Sequence, residues 1–243
     1  MQTLKPPPSI ISAFGFTASA EAVPLEGGLI NHTFMLREQG RRIALQRLHP
    51  IFAPEVNLDI DAITTHLEKK GMLTPRVLPT RDGSLWTTAP DRSVWRGLSW
   101  LDGRTVHSVD DPATARAAAE LAARFHHAVA DLHHTFRFTR PGAHDTPAHL
   151  QKLERALDEH RAHQNHQIIA VVGEAILLHA STLQSLPALP TRLIHGDLKI
   201  SNVLFDESLT KALALLDLDT MANSTIPIEL GDALPKSNQH RDG

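Results

Sequence analysis

Between two apolar runs the chain places a histidine, a carboxylate, a lysine and an asparagine on one short segment, His195-Gly196-Asp197-Leu198-Lys199-Ile200-Ser201-Asn202. A second apolar run, Ala212-Leu213-Ala214-Leu215-Leu216, follows and ends in Asp217-Leu218-Asp219. Two strand-like runs that each deliver polar groups at one end suggest a hairpin presenting a base beside a metal site, the arrangement that phosphoryl transfer needs. Asp197 can accept the proton of an attacking hydroxyl. Asn202 can offer a neutral oxygen to Mg²⁺, and Asp217 the charged oxygen that such an ion prefers. Lys199 can neutralise charge on a transferred phosphoryl group, while His195 orients the loop by hydrogen bonds. Asp219 is either a supporting group behind the metal site or a plain loop carboxylate.

The elements that must position these groups follow from periodicity. A strand is expected over residues 27–36 after the glycine pair Gly27-Gly28, and a partner over residues 42–48 beyond the turn Glu38-Gln39-Gly40-Arg41. Pro54 opens a helix with Val56, Ile60, Ile63 and Leu67 at helical spacing. Residues 74–79, 84–87 and 94–101 look like further strands, with Asp82-Gly83 as a turn. Past Asp102-Gly103 the chain becomes helical. One helix is expected from Pro112, with Leu121, Phe125, Val129 and Leu132 on one face, until Arg140-Pro141-Gly142 breaks it. A second is capped by Asp145 and runs to about Glu159, and a third covers 168–183. The expected organisation is an α+β fold: a β-rich nucleotide-binding lobe over 1–102, a helical catalytic lobe over 103–234, and a polar tail over 235–243 with no apolar face.

Composition sets limits. The 24 Lys and Arg against 27 Asp and Glu leave a net charge of −3, which gives no electrostatic reason to expect nucleic acid. Cysteine is absent, which excludes disulfides and thiolate metal sites and fits a reducing cytoplasm. No signal peptide and no membrane-spanning run are expected. The 16 histidines include the neighbours His126-His127 and His133-His134. Adjacent positions on a helix point about 100° apart and cannot share one ion well, so these are expected to be surface or half-buried groups.

On these residues the chain resembles the aminoglycoside phosphotransferase and choline kinase family, which has a two-lobed protein-kinase-like fold. His195-Gly196-Asp197 and Asn202 look like its catalytic motif, and Asp217 stands where its metal-binding aspartate would be. Glu229-Leu230-Gly231-Asp232-Ala233 resembles the acidic segment that follows, with Asp232 supporting the catalytic loop. Residues 28–34 (Gly28 to Phe34), Leu45-Gln46-Arg47 and 195–199 are most similar to the N-acetylhexosamine kinase branch.

The resemblance implies ATP and Mg as cofactors. It implies transfer of the γ-phosphate to a hydroxyl of a small molecule, a sugar or amino sugar, with no nucleic acid or membrane partner. It places Gly28, Asn31, Gln46 and Arg47 on the nucleotide side and the adenine near Leu101-Asp102. The alternative is a related protein that binds nucleotide without turnover. Protein kinase activity is disfavoured, because the segment from Asp217 to Glu229 is short for an activation loop and lacks A-P-E.

Three departures stand out. Aligning Ile43-Ala44-Leu45-Gln46 with V-A-I-K puts Gln46 where lysine is expected; either a bulge lets Arg47 reach the phosphates, or Gln46 serves in a weaker way, or Arg47 faces solvent. The glycine loop is reduced. The helices that close the helical lobe in the family are expected to be missing, which would expose apolar surface.

Overall fold

The computed structural model describes residues 5–25, 30–183 and 187–233, apart from the side chain of Asp232. It divides into two compact units, 1–139 with 191–243, and 140–190.

The first unit opens with a short helix, α1 (Pro8–Ala13), and an antiparallel sheet. Its strands are β1 (Glu21–Leu25), β2 (His32–Glu38), β3 (Arg41–Arg47), β4 (Val77–Leu78), β5 (Thr87–Thr88) and β6 (Val94–Ser99), in the order β1-β2-β3-β6-β4 with β5 beside β6. Alternation sorts the two faces. Phe34, Leu36, Ile43 and Leu45 turn to one side and form a core with Ile10, Phe14 and Trp95. The cross-strand row Thr33, Gln46 and Arg96 lies on the other side.

Neither α1 nor β1 was expected from periodicity. The strands expected at 74–79 and 84–87 shrink to the two-residue β4 and β5, each borrowing pairing from β6.

Helix α2 (Val56–Lys69) buries Val56, Ile60, Ile63 and Leu67, the expected stripe. It shares a core with α3 (Pro112–Ala128), whose Leu121 and Phe125 face inward, and with Leu193, Val203, Phe205 and Leu215. Asp111 caps α3 by accepting from the Ala113 N–H. This helix ends at Ala128, well before Arg140, because its last turn is held elsewhere: His66 of α2 bonds the Ala128 carbonyl at 2.9 Å and Lys70 binds Asp131 at 2.5 Å. His133 and His134 therefore lie beyond the helix.

The hairpin expected around the polar segment is present, with Val203–Phe205 as its first strand. Leu193-Ile194 and Val203-Leu204-Phe205 belong to two different ribbons. Strand β7 (Arg192–Ile194) pairs with β10 (Ala222–Ser224), and β8 (Val203–Phe205) pairs with β9 (Ala212–Leu215). Helix α6 (Ile226–Ala233) follows. Gly103, at φ 149°, lets the chain pass close to β8: a Cβ there would meet the Phe205 carbonyl at 2.4 Å.

The second unit is a helix pair, α4 (Thr146–Glu159) and α5 (His166–Thr182), with Asp145 capping α4. Gly173 lets Leu157 approach, since a Cβ would meet it at 2.8 Å. Much of α5 is apolar yet exposed, with Ile168 at 76% and Val171 at 70%. Among the described residues no helix is long and apolar enough to cross a membrane.

Asp59 of α2 fixes the irregular segment that leaves α3. It is 1% exposed and accepts from His134 Nε2 at 2.8 Å, from the Arg137 N–H at 2.9 and 3.1 Å, and from the Phe138 N–H at 2.9 Å. Removing the carboxylate strands all of these donors. Asp59→Ala is expected to cost about 3 kcal/mol in urea unfolding of the full chain. A loss within error of wild type would show that the segment is held by packing alone.

Candidate active site

The segment from His195 to Asn202 lies between β7 and β8 and is tied at both ends by buried groups. His195 is fully buried. Its Nδ1 accepts from the Asp197 N–H at 3.3 Å and its Nε2 bonds the Leu216 carbonyl at 2.8 Å. A backbone N–H can only donate and a carbonyl can only accept, so this network assigns the proton to Nε2. The imidazole thereby joins the loop to the end of β9. Gly196 follows at φ +76°, and a Cβ there would meet the Thr220 carbonyl at 2.3 Å, so no other residue fits without displacing backbone.

Asp197 and Lys199 form an ion pair at 2.5 Å. The Asn202 amide nitrogen donates to the Asp197 carbonyl at 2.8 Å and to its Oδ2 at 3.1 Å. With the nitrogen engaged, the amide oxygen is the atom left for a cation. The Asn202 carbonyl accepts from the Leu216 N–H at 2.8 Å, which brings Asn202 beside the residue preceding Asp217.

Asp217 adopts left-handed backbone, φ 58° and ψ 61°. Burial, then the charge of Asp219, raises its carboxyl above the ordinary aspartate range. Among the described residues no hydrogen bond reaches this carboxylate. A half-buried carboxylate that takes no hydrogen bond among the described residues gains a counter-charge from a divalent cation, so Asp217 and Asn202 fit the oxygen set of Mg²⁺.

Glu229 of α6 supports the loop from behind. Fully buried, it accepts from the His195 N–H at 2.9 Å and the Gly196 N–H at 2.8 Å, and His126 Nε2 lies 3.3 Å away. The resemblance pointed to Asp232 for this support. Glu229 provides it here, and the Asp232 side chain lies outside the described residues. The legible signal for Glu229 was an acidic residue amid the apolar Ile226-Pro227-Ile228 and Leu230, opening a helix after the last strand.

The sheet contributes the remaining groups. Gly28 lies outside the described residues. Asn31 donates to Asp219 Oδ2 at 2.6 Å and accepts from the His49 N–H at 2.9 Å. Strand β3 pairs residue by residue with β2 and β6 up to Arg47, without a bulge. Arg47 is thus on the face opposite Gln46 and lies 3.4 Å from Asp91. Gln46 donates to Thr33 at 3.0 Å and accepts from Arg96 at 2.6 and 2.8 Å. Arg96 was not singled out by periodicity, since an arginine within a strand reads as a surface residue until its burial is seen.

Two outcomes follow. Burial pushes Glu229 upward, but hydrogen bonds from His126 and from the Gly196 and His195 N–H groups outweigh it and leave its pKa below the ordinary value of 4.5. A depressed folded pKa contributes stability above the unfolded value and loses it as pH falls through the folded one. Glu229→Gln is therefore expected to lower the melting temperature at pH 7, with the gap to wild type closing as pH drops below about 4.5; a gap independent of pH would count against this.

Asp217 carries the opposite sign, so its charge costs stability at neutral pH. Asp217→Asn is expected to raise the melting temperature of the metal-free chain and to abolish any rise caused by Mg²⁺ with nucleotide. A variant that melts lower yet still responds to Mg²⁺ would contradict both halves.

Comparison with known proteins gives the fold and the family. The model of the phosphotransferase enzyme family APH matches residues 21–242. An amicoumacin kinase solved with AMP-PNP, Ca²⁺ and Ami superposes with a TM-score of 0.66 at 14% identity, covering 93% of this chain and 66% of that one. A microcompartment-associated aminopropanol kinase gives 0.60 at 16%, covering 93% and 72%. A spectinomycin phosphotransferase with ADP and its antibiotic gives 0.54 at 14%, covering 91% and 70%. The chain thus spans about two thirds of the length of these kinases, at identities that speak for the fold alone. With a family model matching nearly its whole length, the chain belongs to the APH phosphotransferase enzyme family.

Proposed function

We propose that the chain transfers the γ-phosphate of ATP to a hydroxyl of a small molecule. The observation that carries this is the set Asp197, Asn202 and Asp217, gathered by the Leu216 N–H bond to the Asn202 carbonyl and by the His195 bridge. Asp197 takes the proton as the acceptor O–H bond breaks. A new P–O bond forms to the acceptor, the bond to the bridging oxygen of ADP breaks, and ADP leaves. Lys199, now 2.5 Å from Asp197, swings its ammonium toward the transferred group. Asn202 and Asp217 hold Mg²⁺, which supplies charge neutralisation at the phosphate oxygens. Asn31 and Gln46 lie on the nucleotide side, and the resemblance assigns Gly28 there as well. The adenine lies near Leu101-Asp102, where Asp102 is clamped bidentately by Arg42 at 2.7 and 2.9 Å.

The acceptor is a sugar or amino sugar, a choice that rests on the motif resemblance. An ATP donor and a chain free of cysteine suit the cytoplasm. One observation favours the rival reading, binding without turnover: the Lys199 ammonium is already committed to Asp197, the expected base.

A thermal melt with Mg-ATP, followed by an ADP-release screen over sugars and amino alcohols, separates the two. Asp197→Asn should keep the Mg-ATP-induced rise and lose transfer by about 10²-fold or more, the worth of a general base. Wild type that binds Mg-ATP but phosphorylates no hydroxyl compound supports the rival, and a folded chain that ignores Mg-ATP sinks both.

A further inference from the structure

Arg96 is a charge with no assigned task. It is 1% exposed, and all five of its N–H donors are used within the protein. Nε and one Nη2 hydrogen go to Gln46 Oε1, at 2.8 and 2.6 Å. The other Nη2 hydrogen reaches Asp219 Oδ2 at 2.9 Å. Nη1 bonds Asp219 Oδ1 at 2.5 Å and Asn57 Oδ1 at 3.4 Å. No donor remains for a phosphate, so in this arrangement Arg96 does not anchor the nucleotide.

Its partners show what it does instead. In protein kinases a lysine on the third strand pairs with a glutamate on the following helix, and that pair must be in place for activity. Here β3 offers the neutral Gln46 and α2 the neutral, fully buried Asn57. The cation has moved one strand over, to the register partner of Gln46 on β6. Its counter-charge has moved to Asp219, two residues past Asp217, and Asn31 completes the grip on Asp219 at 2.6 Å.

We propose that Arg96 is a positioning residue that sets the Asp217 loop for its metal directly from the sheet, replacing the tether that runs through the helix in protein kinases. The bidentate hold on Asp219 fixes the turn that starts at left-handed Asp217. The proposal rests on the phosphotransferase reading above.

The test is a titration of the full chain with a fluorescent ATP analogue, in Mg²⁺ and in EDTA. It uses wild type, Arg96→Lys, Asp219→Asn, and the double variant Arg96→Met with Asp219→Leu, with melting temperatures alongside. An ammonium cannot span both Asp219 oxygens and Gln46. The gain in affinity that Mg²⁺ brings should shrink about tenfold or more in Arg96→Lys and Asp219→Asn, the usual worth of a partner behind a metal ligand. Affinity in EDTA should hold.

The apolar double variant should melt above Asp219→Asn, because it leaves no buried charge unpaired. It should still lack the Mg²⁺ gain. A double variant that keeps the gain, or single variants that lose EDTA and Mg²⁺ affinity in step, overturns the proposal while leaving the phosphotransferase reading intact. A wild-type chain whose nucleotide affinity ignores Mg²⁺ overturns both, and shows itself before any variant is compared.

Discussion

The pair between Arg96 and Asp219 joins residues 123 positions apart, and both side chains are out of water. Desolvating two charges costs several kcal/mol each, and mutual attraction repays this only when geometry and further hydrogen bonds are complete. Both conditions hold. The guanidinium meets the carboxylate edge to edge, and Gln46, Asn57 and Asn31 take up the remaining donors and acceptors. Apolar residues of the same volume could stabilise the fold as well. The two-pronged contact ties the loop after β9 to one position along β6.

The opposite side of the loop that carries His195 to Asn202 is built on α3 and α6. Phe125 packs its ring against His195, with centroids 6.3 Å apart and planes tilted 71°. The next residue, His126, turns to Glu229. One helical step therefore serves both the imidazole that bridges to Leu216 and the carboxylate that holds the loop backbone. Leu121 and Phe125 sit in the core with α2, so this core and His195 are in direct packing contact through Phe125.

The α2 stripe, the Asp111 and Asp145 caps and the segment from His195 to Asn202 were legible because each depends on neighbours within a few residues. The elements that were not legible depend on partners far away. β1 is a strand because β2 offers it an edge, and β4 and β5 exist only beside β6. The end of α3 is set by His66 and Lys70 from another helix. The hairpin around the polar segment was legible and is the β8–β9 ribbon, whereas the pairing of Leu193-Ile194 with β10 depends on a strand some thirty residues on. At the site, Asp197, Asn202 and Asp217 stood out by type and spacing. Arg96 and Glu229 did not, since their importance comes from burial against residues that only the fold brings near.

Two residues in left-handed backbone, Gly196 and Asp217, stand at the points where the two ribbons release the chain into the site. Glycine adopts that conformation freely, whereas for an L-residue it costs roughly 1–2 kcal/mol, less for aspartate. A strained aspartate persists only where its surroundings over-determine it. Here they do: the Leu216 N–H and carbonyl are both bound, to Asn202 and His195, and Thr220 returns its hydroxyl to the His195 carbonyl at 3.0 Å. Asp219 is held beyond by Arg96 and Asn31. Both flanks of Asp217 are therefore pinned, on one side by Asn202 and His195 and on the other by Arg96 and Asn31. The αL backbone at Asp217 and the raised pKa of its carboxyl thus occur together at a turn whose two flanks are both pinned.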